Sequence, residues 1–300
     1  MKTILGILAA GSAALIASPA AALNIFACEP EWAALAQELA GDKASVSSAT
    51  TALQDTHRIE ARPSLIARIR SADLVICSGS ELEIGWLPLL LTQSGNSRIQ
   101  PGSPGYLEAS QFVVRLEIPR VIDRALGDVH PSGNPHVHLD PRNIAKVAEV
   151  MSGRLARLDP ANADAYQARA NSFQERWRAA MQRWEREAAP LKGTPIVVYH
   201  KDMSYLIRWL GMREAGSLEP KPGLPPTPAH LAELVERMKQ NPAKAVVYSP
   251  YSSPRAAEFL SERTGIPAVM MPFTVGGTDK AKDLFGLFDD TIARLRVVVK

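Results

Sequence analysis

A long run without glycine or proline occupies the middle of this 300-residue chain, at residues 162–188. Its large apolar residues recur at spacings of three, four and seven, so they share one face of an α-helix: Tyr166, Phe173, Trp177, Met181 and Trp184. A helix of about 27 residues extends about 40 Å, which suits it to bridging two lobes. The alternative is an ordinary core helix with frayed ends, since most globular helices are shorter.

Short apolar runs alternate with amphipathic stretches on both sides of this helix. We predict strands at residues 23–27, 72–77, 195–199, 245–248 and 268–271. We predict helices at residues 32–40, 63–70, 143–158, 203–210, 229–240, 254–264 and 283–297. Such alternation is typical of β/α units around a parallel sheet. The predicted fold is therefore α/β, with an amino-terminal lobe (23–160), a linker helix (161–190) and a carboxyl-terminal lobe (191–300).

The amino terminus has the features of a secretory signal peptide. Lys2 precedes an apolar run at residues 4–16, and three alanines at 20–22 offer a small-residue cleavage site. We therefore predict a signal peptide at residues 1–22 and an exported, periplasmic protein; a buried amino-terminal helix is the alternative. The net charge of +3 is small and acids alternate with bases, so nothing indicates binding to nucleic acid.

The two cysteines, Cys28 and Cys77, each end a short apolar run. Both could therefore stand at the carboxyl ends of neighbouring strands. Export makes a disulfide chemically permissible. A bridge between Cys28 and Cys77 is a hypothesis, because sequence alone does not show that the sulfur atoms meet.

Six histidines are the candidate metal ligands: His57, His130, His136, His138, His200 and His230. Of these, His57, His136 and His200 lie where a strand or loop leads into a helix, the usual rim position for ligand sites in open α/β sheets. Neutral imidazole binds Zn²⁺ well, and one carboxylate completes a tetrahedral site. Their spacing is not a zinc signature, so the residues by themselves indicate only a candidate metal site.

Several segments resemble one known family. The sequences DTH at 55–57, RPS at 62–64, ADLVI at 72–76 and GSELEIGWL at 79–87 resemble the amino-terminal lobe of zinc and manganese ABC-transporter solute-binding proteins. The segment NPHVHLDP at 134–141 resembles the second ligand segment of that family, and VVYH at 197–200 its third. The resemblance extends over nearly the whole predicted mature chain.

The resemblance implies two lobes tied by a rigid helix, with the ion in the cleft between them. It assigns His57 and His136 to the first lobe and His200 to the second. For the fourth ligand it indicates Asp279, which follows a Phe-Thr pair, with Asp283 as the fallback unless it caps the last helix. Manganese relatives tend to have an acid where His200 stands, so imidazole at this position favours zinc.

Four further residues have less direct assignments. His138 could be the ligand in place of His136, or it could be an auxiliary ligand. His130 could form, together with His136 and His138, a small loop that captures zinc. For His130, however, an exposed loop residue is the favoured interpretation, and His230 is predicted to be a surface residue. The resemblance gives Glu219 a supporting or structural role and not that of a ligand.

The resemblance implies a monomeric periplasmic protein that delivers Zn²⁺ to an ABC permease in the inner membrane, with a metallochaperone as a further partner. The first alternative is a manganese- or iron-binding member of the same fold. The second is a zinc-dependent hydrolase, which needs an open coordination position and a general base. The sequence contains no His-Glu-x-x-His motif, so we predict that the chain is not an enzyme.

Overall fold

The structure, a computed structural model, describes residues 22–298, except for the side chain of Arg124. Apart from Ala22, the predicted signal peptide lies outside the described residues. Within them, none of the helices combines the length and the hydropathy that crossing a bilayer requires.

Two four-stranded parallel sheets form the framework. The first has the order β2-β1-β3-β4 and the second the order β6-β5-β7-β8, so both have the same topology. The strands are β1 Leu23–Ala27, β2 Ala44–Ser48, β3 Leu74–Cys77, β4 Tyr106–Glu108, β5 Pro195–Val198, β6 Arg213–Ser217, β7 Ala245–Tyr248 and β8 Ala268–Met270. The central strands are apolar and buried, as expected for sheets covered on both faces.

Nine helices are described between residues 22 and 298. They are α1 Pro30–Ala40, α2 Pro63–Arg70, α3 Leu87–Ser94, α4 Pro141–Leu158, α5 Ala163–Ala188, α6 Ser204–Leu210, α7 Pro228–Gln240, α8 Arg255–Thr264 and α9 Leu284–Val298. This arrangement confirms the predicted α/β fold with two parallel-sheet lobes.

The long helix α5 packs against α1 and α4 on one side of the molecule and against α9 on the other. Its buried face contains Phe173, Trp177 and Trp184, as the periodicity predicts. The indole of Trp177 donates a 2.8 Å hydrogen bond to the carbonyl of Pro141, the first residue of α4. These contacts fit a helix that links the two lobes.

The sequence does not predict three strands and one helix: β2, β4, β6 and α3. All three strands are edges of their sheets. The polar strands β2 and β6 are only partly buried, because an edge has less apolar surface to cover. Strand β4 is three residues long, too short for a clear periodic signal, and α3 begins with a nearly continuous apolar run, LPLLL, without helical periodicity.

A disulfide bridge joins Cys28 and Cys77, with a Cα–Cα distance of 4.8 Å. Cys28 follows β1, and Cys77 ends the neighbouring strand β3. The bridge therefore confirms the predicted pairing. It ties together two strand ends on the same edge of the first sheet as the loops that contain the candidate ligands.

Candidate metal centre

Three histidines from distant segments converge between the two lobes. The ring nitrogens that His57, His136 and His200 can offer to a metal all lie within 4.8 Å of one another. The centroids of the three rings are 5.5, 5.6 and 5.8 Å apart. Around a tetrahedral zinc ion, two imidazole nitrogens are about 3.3–3.4 Å apart. Small side-chain rotations are therefore enough to bring the three rings onto one ion.

His57 lies in a 3₁₀ turn, Thr56–Arg58, in the loop after β2. The carboxylate of Asp55 caps this turn by accepting the His57 N–H, and it also lies 2.8 Å from Nδ1 of the ring. The Trp86 indole fixes the turn from the other side through a 2.9 Å bond to the carbonyl of Thr56. With Nδ1 engaged by Asp55, Nε2 of His57 is the nitrogen left for a metal.

The hydrogen bonds of Asp55 also affect its charge. Burial by itself raises the pKa of this carboxyl, but the hydrogen bond and charge of His57 outweigh burial, and the pKa is lowered. Asp55 is therefore a carboxylate that orients a ligand. The sequence analysis missed this role, although an acid that caps the turn of a histidine two residues later is a usable signal.

His136 stands immediately before the 3₁₀ turn Val137–Leu139 that leads into α4. Its side chain is 2% exposed, and neither ring nitrogen has a hydrogen-bond partner. Burial, followed by the neighbouring His57 and His200, holds the pKa of His136 well below its ordinary value. A buried, unpartnered polar group costs about 1–3 kcal/mol, and a bound cation would remove that cost.

His200 follows β5 and lies in the second lobe. Its Nδ1 is 2.7 Å from the carboxylate of Glu219, so Nε2 is again the free nitrogen. Burial lowers the pKa of His200, but the hydrogen bond that the ring donates to Glu219 and the charges of the nearby carboxylates outweigh burial, and the pKa is raised. Glu219 thus has the supporting position that the resemblance implies.

Asn134 connects the ligand segments of the two lobes. Its side-chain oxygen accepts the N–H of His136 at 3.0 Å, and its amide nitrogen donates to the carbonyl of Lys201 at 2.7 Å. Lys201 directly follows His200 in the chain. The backbone positions of His136 and His200 are therefore tied together by one side chain.

His130 lies beside the three histidines but is not part of their group. Its Nε2 is 3.3 Å from Nε2 of His57. Burial and the adjacent His57 lower the pKa of His130 to about 4. His130 is half-buried and is therefore not the exposed loop residue that the sequence also allows.

His138 is held away from the three histidines by its own contacts. Its Nδ1 lies 3.0 Å from a carboxylate oxygen of Glu31, and its Nε2 lies 3.0 Å from the carbonyl of Phe273. The ring of Phe273 stands between the two neighbouring imidazoles, 5.1 Å from His138 and 5.6 Å from His136. The structure therefore brings His136, and not His138, into the group.

The predicted carboxylate ligand, Asp279, is not in the group of ligand atoms that lie within 4.8 Å of one another. Asp279 is exposed, in a turn closed by a bond from the Ala281 N–H to the carbonyl of Thr278. Asp283 caps α9 by accepting the Gly286 N–H at 2.7 Å, so the fallback residue has its expected structural use. His230 is partly buried, and its Nε2 lies 2.9 Å from the carbonyl of Ser217.

Two cavities open onto the histidines from opposite sides. One, of about 320 Å³, is lined by His57, His200 and the exposed Asp128. The other, of about 260 Å³, is lined by His130, His136, His200 and Asp128. The four imidazoles therefore lie where a small cation could reach them from solvent.

Comparison with known proteins places this arrangement in a family. The sequence model of ZnuA, described as the zinc-uptake complex component A, periplasmic, matches residues 25–297. The solved ZnuA structure has a TM-score of 0.74 and 20% identity, and the match covers 93% of this chain and 98% of that one. A periplasmic metal-binding protein of Candidatus Liberibacter asiaticus has a TM-score of 0.73 and 17% identity, with coverages of 92% and 99%. At these identities the two structures show the fold alone.

Three characterised relatives are similar in sequence. The zinc-binding lipoprotein AdcA of Streptococcus pneumoniae is 24% identical over 234 residues, 77% of this chain and 46% of AdcA. The high-affinity zinc uptake system protein ZnuA of Brucella abortus is 27% identical over 135 residues, 44% of this chain and 40% of that protein. The manganese ABC transporter substrate-binding lipoprotein PsaA of Streptococcus anginosus is 22% identical over 290 residues, 94% and 89% of the two chains.

The chain spans less than half the length of the first two of these relatives. The family model, by contrast, covers almost all of the described residues. Because that model matches residues 25–297, the chain belongs to the ZnuA family of periplasmic zinc-uptake components.

Proposed function

We propose that this protein binds Zn²⁺ between its lobes and delivers it to an ABC importer. The observation that carries the proposal is the convergence of His57, His136 and His200, with ligand atoms within 4.8 Å of one another. Two of the rings are oriented by carboxylates through Nδ1, and the third is buried without a partner. Carboxylate–histidine–metal arrangements of this kind are usual at zinc sites.

Nitrogen ligands favour zinc over manganese as the cargo. Affinity for a site of imidazoles rises steeply from Mn²⁺ to Zn²⁺, whereas carboxylate and water ligands suit Mn²⁺. The similarity to PsaA, which is named as a manganese transporter substrate-binding lipoprotein, keeps manganese as the alternative cargo. The hydrolase alternative has no such support, because the family is that of an uptake-complex component and not of an enzyme.

The remaining parts of the proposal are supported by the sequence patterns and by the resemblance to the family. The first lobe comprises residues 23–160 and the second residues 191–300, with residues 161–190 as the linker, and the protein acts as a monomer. The signal peptide directs it to the periplasm, where a permease of the inner membrane accepts the ion. A periplasmic metallochaperone that loads the site is a further proposed partner.

Competition titration with a zinc-chelating dye tests the binding proposal. We expect His57→Ala and His200→Ala each to weaken zinc binding by at least about 100-fold, since each removes a metal ligand. The matched control is His230→Ala, because His230 lies outside the group. Wild-type affinity in both ligand variants, or equal affinity of the wild type for Mn²⁺ and Zn²⁺, would contradict the proposal.

A growth assay tests delivery. A strain that lacks this protein should grow poorly when a chelator limits zinc, and the wild-type gene should restore growth, whereas the gene with His57→Ala should not. Growth that is independent of the gene, in a strain without other zinc importers, would overturn the transport role and leave the binding site intact.

A further inference from the structure

His136 differs from the other two histidines of the group in how its ring is held. The rings of His57 and His200 each have a carboxylate at Nδ1 that orients them. In the described part of the chain, neither ring nitrogen of His136 has a hydrogen-bond partner, although the side chain is buried. A metal-binding imidazole normally has a partner that fixes its orientation. The orientation of His136 must therefore come from packing.

The ring of Phe273 supplies that packing from the second lobe. Its centroid lies 5.6 Å from that of His136, at an interplanar angle of 70°. This distance and this angle are typical of an edge-to-face aromatic pair. The ring of Tyr251 contacts Phe273 in the same manner, at 5.3 Å and 78°. Phe273 is therefore held between an aromatic ring of its own lobe and the imidazole of the other.

The backbone of Phe273 has an unusual conformation. Its φ is +59°, in a region that a bulky L-residue seldom adopts. The turn that follows is tight, because a Cβ atom at Gly277 would lie 1.8 Å from the carbonyl oxygen of Pro272. Such a conformation persists where surrounding contacts determine it. For Phe273, those contacts come from the first lobe.

Two buried side chains of the first lobe hold this backbone. Nε2 of His138 lies 3.0 Å from the carbonyl oxygen of Phe273, and the hydroxyl of Thr274 donates to the carboxylate of Glu31 at 2.5 Å. His138 and Glu31 also contact each other, with 3.0 Å between Nδ1 and Oε1. Buried polar groups are costly to leave without partners. These four residues, Glu31, His138, Phe273 and Thr274, therefore form an interlobe clamp that fixes Phe273 relative to the lobe of His136.

The clamp gives different uses to the two histidines of one segment. The ring of Phe273 lies between them and contacts His138 at 5.1 Å on one side and His136 on the other. His138 is occupied with the carbonyl of Phe273 and with Glu31. The nitrogens of His136 are left for the group that it forms with His57 and His200.

We propose that Phe273 is a positioning residue of the metal centre: the interlobe clamp fixes its backbone, and its ring orients the imidazole of His136 toward the ion. The inference rests on the proposed zinc function. Because the ring comes from the second lobe and the ligand from the first, His136 is oriented only while the clamp holds the two lobes together. The second lobe thus acts on a ligand of the first, in addition to supplying His200.

A double-mutant cycle on the purified protein tests the inference. Phe273→Leu removes the aromatic ring and keeps an apolar side chain. Thr274→Val removes the hydroxyl that binds Glu31 and leaves the ring of Phe273 in the chain. The matched control is Phe259→Leu, in α8 of the same lobe, where Phe259 packs against a separate apolar cluster. Each variant is measured alone and combined with His136→Ala.

Three measurements are made on each variant. Dye competition gives the zinc affinity, with a dye of lower affinity where His136→Ala is present. The absorption of bound Co²⁺ reports the coordination geometry. Circular dichroism and the melting temperature show whether the variant is folded.

We expect Phe273→Leu to weaken zinc binding by about three- to tenfold, the loss expected for one aromatic pair, and to shift the Co²⁺ spectrum. Thr274→Val should change both in the same direction. With His136→Ala present, each loss should fall below about twofold, because no ring is left to orient. Phe259→Leu should have the wild-type affinity and spectrum.

Wild-type affinity and Co²⁺ spectrum in folded Phe273→Leu would overturn the inference. A loss of equal size with and without His136 would also overturn it, because the substitution would then act through the fold and not through this ligand. If Phe273→Leu does not fold, Thr274→Val decides by the same two criteria. These failures leave His57→Ala deficient in zinc binding. If His57→Ala also binds zinc normally, the proposed function itself fails, so the two failures are distinguishable.

Discussion

The carboxylate of Glu219 lies 2.7 Å from Nδ1 of His200 and also accepts the N–H of Gly223 at 2.9 Å. Gly223 lies beside Pro222, whose carbonyl accepts the N–H of Asp128 in the bridging loop, the loop of residues 113–134 that precedes the His136 segment. One carboxylate therefore orients a candidate ligand and fixes the loop of the second lobe on which the bridging loop rests.

Replacing Glu219 with Gln should weaken zinc binding by about 10–100-fold, because the amide orients and polarises the imidazole less strongly than a carboxylate does. Competition titration at one pH measures the loss. Glu214→Gln is a suitable control, since Glu214 pairs with Lys201 and is not bound to a candidate ligand. Equal affinity in both variants would contradict the role of Glu219.

The pH dependence of zinc affinity should also depend on Glu219. The raised pKa of His200 means that protons begin to compete with zinc above the ordinary histidine value of about 6.5, and affinity falls as the pH drops. Without the carboxylate of Glu219, only the charges of Asp202 and Asp55 oppose the lowering of the His200 pKa by burial, so Glu219→Gln should lose affinity less steeply between about pH 8 and pH 6. Zinc titrations at several pH values should show the affinities of the wild type and of Glu219→Gln approaching each other as the pH falls. Parallel pH profiles of the two proteins would show that Glu219 does not affect the competition between protons and zinc.

The sequence predicts the three histidines better than it predicts what completes the site. His57, His136 and His200 each follow a recognisable strand or precede a recognisable turn, so local signals place them at one rim. The position of Asp279 depends on the conformation of a short turn. In the structure the hydroxyl of Thr278 donates a hydrogen bond to Asp290, and Asp279 is exposed. His130 lies in a loop without periodicity, and its position is set by contacts with the other lobe.

The fold shows the same difference between elements with strong local sequence signals and elements whose position depends on tertiary contacts. Buried central strands and the amphipathic face of α5 have strong periodic signals, and both are found as predicted. The edge strands β2, β4 and β6 depend on pairing with a neighbour and have little apolar sequence of their own, so their presence follows from the sheet and not from the local sequence.

Gly127→Ala should release zinc faster than the wild type. The added Cβ would press on the carbonyl of Pro222 at 2.4 Å and weaken the contact of the bridging loop with the second lobe beside the histidines. Stopped-flow release into excess chelator should show an increase of at least about fivefold, as expected when a contact worth about 1 kcal/mol or more is lost. Gly153→Ala is the control, because a Cβ there meets no atom within 4 Å. Equal release rates in the two variants would contradict a role of this contact in zinc release.

Two buried carboxyls next to the disulfide make the stability of the metal-free protein depend on pH. Glu29 and Glu83 both accept from the N–H of Ser78, at 3.1 and 2.8 Å. Burial, together with the charge of Glu83, raises the pKa of Glu29, and burial raises the pKa of Glu83 to about 7.

The unfolded value for Glu83 is about 4.3, so the folded protein holds a proton that the unfolded chain has lost. The contribution of this bound proton to the free energy of unfolding is complete below about pH 4.3 and is lost as the pH rises through about 7. Glu83→Gln removes this titration, so the melting temperature of the variant relative to the wild type should rise between about pH 5 and pH 8. Chemical or thermal unfolding of the chelator-treated protein measures the difference. Glu236→Gln, at an exposed position on α7, should show no such trend, and a trend equal in both variants would mean that the Glu83 carboxyl is not protonated in the folded state.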